Sequence, residues 1–125
     1  MKKKIISSNK IPVSGPYSAA VEAKDIIYIS GQLPIDPATG EMITDIKKAT
    51  KQILLNIQTL LKKTDLDLSH IVKTTIFLKS IKDFPAVNEI YADFFPEEPP
   101  ARSTIEVSVL PREALLEIEA VAIRE

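Results

Sequence analysis

Pro99-Pro100-Ala101-Arg102-Ser103-Thr104-Ile105-Glu106-Val107 and, after a short break, Leu116-Glu117-Ile118-Glu119-Ala120-Val121-Ala122-Ile123 are the two runs on which the fold turns. Both alternate in side-chain character at a period of two, as strands do. The double proline holds φ near about −65° and pushes each preceding residue toward extended backbone, so Arg102 enters its strand with little freedom left to lose. With Pro111 to Ala114 as a four-residue loop, the two runs form a hairpin that pairs Leu110 with Leu115. One face then carries Ser103, Ile105, Val107 and Val109 beside Leu116, Ile118, Ala120 and Ala122, and suits packing under helices. The other carries Arg102, Thr104, Glu106 and Ser108 beside Glu117, Glu119, Val121 and Ile123. Charged groups and branched aliphatics share that second face, which predicts a second subunit over it and a polar cleft between chains. The same register sets Glu106 opposite Glu119, an unfavourable pair.

Earlier segments supply the remaining layers. Lys4-Ile5-Ile6-Ser7 reads as a short edge strand, followed by a polar turn through Asn9 and Pro12 to Ser14-Gly15-Pro16. Tyr17 to Ala23 and Ile26 to Ser30 read as a hairpin closed at Lys24-Asp25. A bulge, or a close approach by another group, explains a glycine at Gly31. Pro34 to Glu41 concentrates turn formers. From Asp45 to Lys63, with Thr44 as N-cap, apolar residues at Ile46, Ala49, Ile53, Ile57, Leu60 and Leu61 recur at helical period. Ile71 to Leu78 is strand-like, and strand-helix-strand order across residues 26 to 78 predicts a crossover to a parallel partner. A second helix starts at Asp83 with Pro85 in its first turn and Phe84, Val87, Tyr91, Phe94 and Phe95 as its stripe. Asn88 falls on that stripe, either tying down a loop or facing a ligand, since a buried amide without a partner costs about 1–3 kcal/mol. Two helices on one face of a mixed sheet of about six strands make an α+β two-layer sandwich, a single domain over residues 1–125.

Composition narrows the chemistry. A net charge of −1 gives no electrostatic footprint for nucleic acid. Lys2-Lys3-Lys4 is followed only by Ile5-Ile6, too short for a signal peptide, and no run is long enough to span a membrane, so a cytoplasmic protein is expected. The absence of cysteine removes disulfides, thiolate metal sites and cysteine nucleophiles, and the single histidine, His70, removes any mechanism needing two imidazoles. His70 itself reads as a loop or strand-edge residue. No metal constellation and no phosphate-cradling glycine loop is present. Arg102 either makes a surface ion pair or offers its planar fork to a ligand carboxylate, a geometry lysine cannot reproduce. Glu117 and Glu119 are either solvated or, if one is partly buried at a subunit boundary, able to exchange protons with water near neutrality.

Gly15-Pro16-Tyr17, Tyr28-Ile29-Ser30-Gly31-Gln32-Leu33-Pro34, Thr39-Gly40-Glu41, Val72-Lys73-Thr74-Thr75, Asn88 with Tyr91, Pro100-Ala101-Arg102-Ser103, Val107 with Leu110-Pro111, and Glu117-Ile118-Glu119-Ala120 together resemble the reactive intermediate deaminase family, RidA, formerly YjgF. The match runs through nearly the whole chain, and its specificity lies in joint order and spacing. The resemblance implies a chorismate-mutase-like fold, a homotrimer with active sites between subunits, and hydrolysis of 2-aminoacrylate or 2-iminobutyrate to 2-keto acids and ammonia. No metal or cofactor is implied. By position, Arg102 matches the arginine that holds the substrate carboxylate and Glu117 the glutamate that handles water and its protons. Tyr17, Ser30 and Asn88 match other polar positions of the cleft, with Gly31 and Thr104 lining it. Many members carry cysteine where this chain has Thr104, which makes thiol-based activity unexpected here. Two other readings accompany this one: a trimer that binds small carboxylates or acts as a chaperone without turnover, and the ribonuclease or translation inhibitor that family labels name. The latter fits poorly with a chain lacking a basic surface.

Overall fold

The computed structural model describes residues 2–125. Among these residues six strands form one sheet in the order β1-β2-β3-β6-β4-β5: β1 Lys4–Ile6, β2 Ala20–Ala23, β3 Ile26–Gln32, β4 Ile71–Leu78, β5 Ala101–Glu106 and β6 Leu116–Ile123. Two helices, α1 Ile46–Lys62 and α2 Phe84–Phe94, complete the α+β sandwich. Among the described residues no helix is long and apolar enough to cross a membrane.

The helix-covered face is set by alternation. Ile27 and Ile29 of β3, Ile118, Ala120 and Ala122 of β6, and Ile76 and Leu78 of β4 are buried, and they meet Ala49, Ile53, Leu54, Ile57, Leu60 and Leu61 of α1 and Val87 and Tyr91 of α2 in one core. The helical stripe read from the sequence is thus the buried stripe. Its cap differs by one residue: Asp45, not Thr44, caps α1, its Oδ2 accepting from Lys48 N at 2.9 Å. Asp83 stands at the start of α2 but makes no capping hydrogen bond. The turn before α2 is instead held by Ser80 Oγ, which accepts from Lys82 N, and by Glu106 Oε1, which accepts from Ile81 N at 2.8 Å.

The turn at Lys24-Asp25 has both residues at positive φ (50° and 67°), the twist-matched geometry for a two-residue β-hairpin. Asn56, buried within α1, donates from Nδ2 to Ile35 O at 3.0 Å and accepts from Gln52 Nε2 at 2.9 Å, so it ties the 34–43 loop to the helix. Asn56→Ala leaves a carbonyl without its donor and should lower unfolding free energy by about 1–3 kcal/mol, read as a lower urea midpoint at unchanged m-value.

Two pairings depart from the sequence-based expectation. First, β5 does not pair with β6: it runs parallel to β4, with Thr74 beside Arg102 and Ile76 beside Thr104, and β4 separates it from β6. The expected hairpin and its Glu106–Glu119 opposition therefore do not exist. Second, β3 and β4 point the same way, as the crossover requires, but each pairs antiparallel with β6, which lies between them. The last strand of the chain is inserted at the centre of the sheet.

Candidate active site

The pairing of β5 with β4 decides where Arg102 points. Adjacent strands place paired residues on the same face, and Thr74, the partner of Arg102, is buried beneath α2 with its Oγ1 2.6 Å from the Tyr91 hydroxyl. Arg102, Thr104 and Glu106 therefore lie on the helix side. Ser103 and Ile105, expected beneath the helices, lie on the uncovered side, where Ile105 is 47% exposed. Glu117 and Glu119 pair with Phe77 and Thr75, also on the uncovered side. The expectation that Arg102 and the two glutamates share one face is thus overturned, and the candidate residues fall into two groups separated by the sheet.

The first group surrounds Arg102. Its guanidinium carbon sits 4.8 Å from the Tyr91 ring centroid and 5.4 Å from that of Phe84. Among the described residues no carboxylate comes within ion-pair distance of it, so the surface ion pair considered from the sequence is absent. Asn88, Tyr91, Phe95, Pro99, Pro100 and Arg102 line one open depression at the edge of the sheet. The double proline thus delivers Arg102 beside a concave surface. Two residues further on, the Thr104 hydroxyl is buried and has no hydrogen-bond partner among the described residues.

The second group surrounds Glu117 on the uncovered face. Between Ile29 and Gln32 the register of β3 against β6 slips by one residue, so Ser30-Gly31 forms a bulge. A Cβ on Gly31 would lie 1.8 Å from Glu117 Oε2 and 2.7 Å from its Cδ, so the glycine makes room for this carboxylate. Burial, and secondarily the charge of Glu119, pushes the Glu117 carboxyl above the usual carboxylate range. Glu119 is exposed, which distinguishes the two glutamates physically. Ser30 Oγ donates to Ser18 O at 2.6 Å and Ser30 N to Ala19 O at 2.9 Å, so Ser30 anchors the segment after Tyr17. Tyr17 is 52% exposed near the same bulge and lines a pocket with Gly31, Gln32 and Arg112. Removing the neighbouring charge with Glu119→Gln should lower the Glu117 titration midpoint. Side-chain carboxyl NMR can check this, and an unchanged midpoint would show that the two charges are not coupled.

His70 belongs to neither group. It closes the 3₁₀ turn Leu68–His70, its Nδ1 accepting from Asp67 N at 3.2 Å while Asp67 Oδ1 accepts from Ser69 N at 2.9 Å. Among the described residues no cluster of three or more His, Cys, Asp or Glu side chains could hold a metal ion. The supports of Arg102, Phe84 and Tyr91, were legible only as core positions of a helix; the cue that they also face an arginine was the parallel pairing of β5.

Sheet order, the two helices and the uncovered face define a chorismate-mutase-like α+β sandwich. Comparison with known proteins then gives the family. The chain belongs to the YjgF/RidA family: the family model described as Endoribonuclease L-PSP matches residues 7–124. It is 45% identical to a RutC family protein of Pyrococcus horikoshii over the full length of both chains. It is 42% identical to a mouse protein named 2-iminobutanoate/2-iminopropanoate deaminase, over 98% of this chain and 92% of that one. Among solved structures, a conserved Rid family protein, YyfA of Yersinia pestis, superimposes with a TM-score of 0.93 at 46% identity, covering 98% of this chain and 100% of that one.

Proposed function

We propose that this protein hydrolyses small reactive 2-imino or 2-enamino acids, such as 2-iminobutyrate and 2-aminoacrylate, to 2-keto acids and ammonia, in sites formed between the subunits of a homotrimer. The observation that carries the reading is Arg102: a guanidinium against two aromatic rings and, among the described residues, without a carboxylate partner keeps its donor fork free for a ligand carboxylate. The deaminase name of the mouse relative supports the reaction class. The opposed faces support the intersubunit placement, because Arg102 and Glu117 can serve one substrate only if they come from different chains. The exposed Tyr28 and Ile105 on the uncovered face give a second copy apolar surface to cover.

In this mechanism Arg102 holds the carboxylate, while Asn88, which lines the same depression, supplies a hydrogen bond beside it. The iminium carbon is already electrophilic, so orientation and a base suffice. Glu117 takes a proton from water as the oxygen bonds to that carbon, which gives a tetrahedral carbinolamine. The proton then passes to nitrogen, the C–N bond breaks with release of ammonia, and the hydroxyl gives its proton to Glu117 as its oxygen closes the carbonyl of the keto acid. Tyr17 and the Ser30-Gly31 bulge would wall the side of the site occupied by Glu117. Because the base works only when ionised, the rate should fall as pH drops through the raised midpoint of Glu117.

The test is to generate 2-iminobutyrate in situ with a threonine dehydratase and follow its decay with and without the protein. Acceleration supports the enzyme; no acceleration overturns it. Retained binding of 2-oxobutanoate without acceleration would favour the non-catalytic carboxylate binder. The solution mass should be about three times 13.8 kDa. The ribonuclease name of the family model has less support here, since the single histidine is engaged in a turn with Asp67.

A further inference from the structure

The Arg102 guanidinium lies against two aromatic rings. An arginine at the start of an edge strand has several rotatable bonds, and two prolines restrain its backbone but not its side chain. An ion pair would fix the side chain only by occupying the donors a ligand needs. An aromatic face does not, because it contacts the flat of the guanidinium and leaves the in-plane N–H groups free. Tyr91 provides such a face at 4.8 Å and Phe84 a second at 5.4 Å. The Tyr91 ring is itself held, with its hydroxyl 2.6 Å from Thr74 Oγ1 and its centroid 4.7 Å from that of Phe95. Tyr91 is 6% exposed and Thr74 fully buried. Burial also pushes the Tyr91 phenol above its ordinary range, which keeps it a neutral hydrogen-bonding partner of Thr74.

We propose that Tyr91, assisted by Phe84, is a positioning residue that holds the Arg102 guanidinium by its face so that its N–H edge meets the ligand carboxylate, with Thr74 locking the ring. Thr74 lies beside Arg102 across the β4–β5 pairing, so one residue of β4 registers both the strand that carries the arginine and the ring that supports it. The inference rests on the reading of Arg102 as the carboxylate holder.

The experiment measures the Kd for 2-oxobutanoate, together with KM and kcat for imine hydrolysis, in Tyr91→Leu, Tyr91→Phe, Phe84→Leu, Arg102→Ala and the Arg102→Ala/Tyr91→Leu double variant. Tyr91→Leu should raise Kd and KM about 5- to 30-fold with kcat little changed, the range expected for a partly desolvated cation–π contact. Tyr91→Phe keeps the ring but frees it from Thr74, and should raise Kd by less than Tyr91→Leu does. In the Arg102→Ala background, Tyr91→Leu should have no further effect on Kd. Should Tyr91→Leu fail to fold, Phe84→Leu, on a half-buried position, carries the test with a smaller rise in the same direction. The proposal is overturned if folded ring-removal variants bind with unchanged Kd, if they lose kcat alone, or if the double variant loses as much again as Tyr91→Leu does by itself. An Arg102→Ala protein that binds 2-oxobutanoate normally would instead overturn the carboxylate-holder reading, which keeps the two failures distinct.

Discussion

Arg102→Ala should reduce kcat/KM for 2-iminobutyrate by about two to four orders of magnitude while lowering the unfolding free energy by only about 1–2 kcal/mol. The first figure follows from losing two charge-assisted hydrogen bonds to a carboxylate, each contributing about 1.5–3 kcal/mol. The second follows from the surroundings: Arg102 has no ion-pair partner among the described residues, so its removal strands no buried charge. Only two aromatic contacts are lost, at about 0.5–1 kcal/mol each where exposed. Arg102→Lys keeps the charge without the fork and should recover part of the loss. Steady-state kinetics beside urea unfolding checks both halves, and a large stability loss in Arg102→Ala would recast the residue as structural.

Gly31→Ala is expected to fall almost as far in kcat by a different route. The φ of Gly31 lies outside the left-handed region, so alanine meets no backbone strain there, and the atoms nearest the added methyl belong to the Glu117 carboxyl group and Cγ. That group ends a side chain on the uncovered face and can swing away, so the fold should tolerate the change. Catalysis should not, since a displaced general base forfeits about 10²- to 10⁴-fold. Kinetics should therefore show a kcat loss close to that of Glu117→Gln, with thermal unfolding shifted by only a few degrees. An active Gly31→Ala enzyme would remove Glu117 from the chemistry.

What the sequence made legible were elements rather than their arrangement. The stripe from Ile46 to Leu61 and the alternation of β6 placed helix and strand because each has one apolar face, and the structure buries that face in both. For β5 the same logic misled. Ile105 and Val109 look like core residues, yet they are 47% and 72% exposed, and the residues facing the helices are Arg102 and Thr104. Both faces of an edge strand can carry apolar groups when one of them awaits another surface, so alternation cannot choose between them. Taking Pro111 to Ala114 as a four-residue loop led to a hairpin, but the connection runs over residues 107–115. It instead crosses the end of β4, with Val107 N bonded to Leu78 O and Lys79 N to Leu115 O, a step of two strand spacings or about 10 Å that nine residues span easily. Arg112 and Glu113 turn there at positive φ (55° and 56°), which no glycine announced. Arg102, Asn88 and the two glutamates stood out as candidates from the residues themselves and positional resemblance supplied their roles; their separation onto two faces required the register.

That separation makes an intersubunit site directly measurable. Arg102→Ala and Glu117→Gln chains, each inactive alone, can be unfolded together in equal amounts and refolded as mixed oligomers. If every site takes Arg102 from one chain and Glu117 from its neighbour, about a quarter of the sites in a random mixture will be intact, and about a quarter of the parental activity should return. If both residues act from the same chain, every site carries one lesion, and the mixture will stay as inactive as its components.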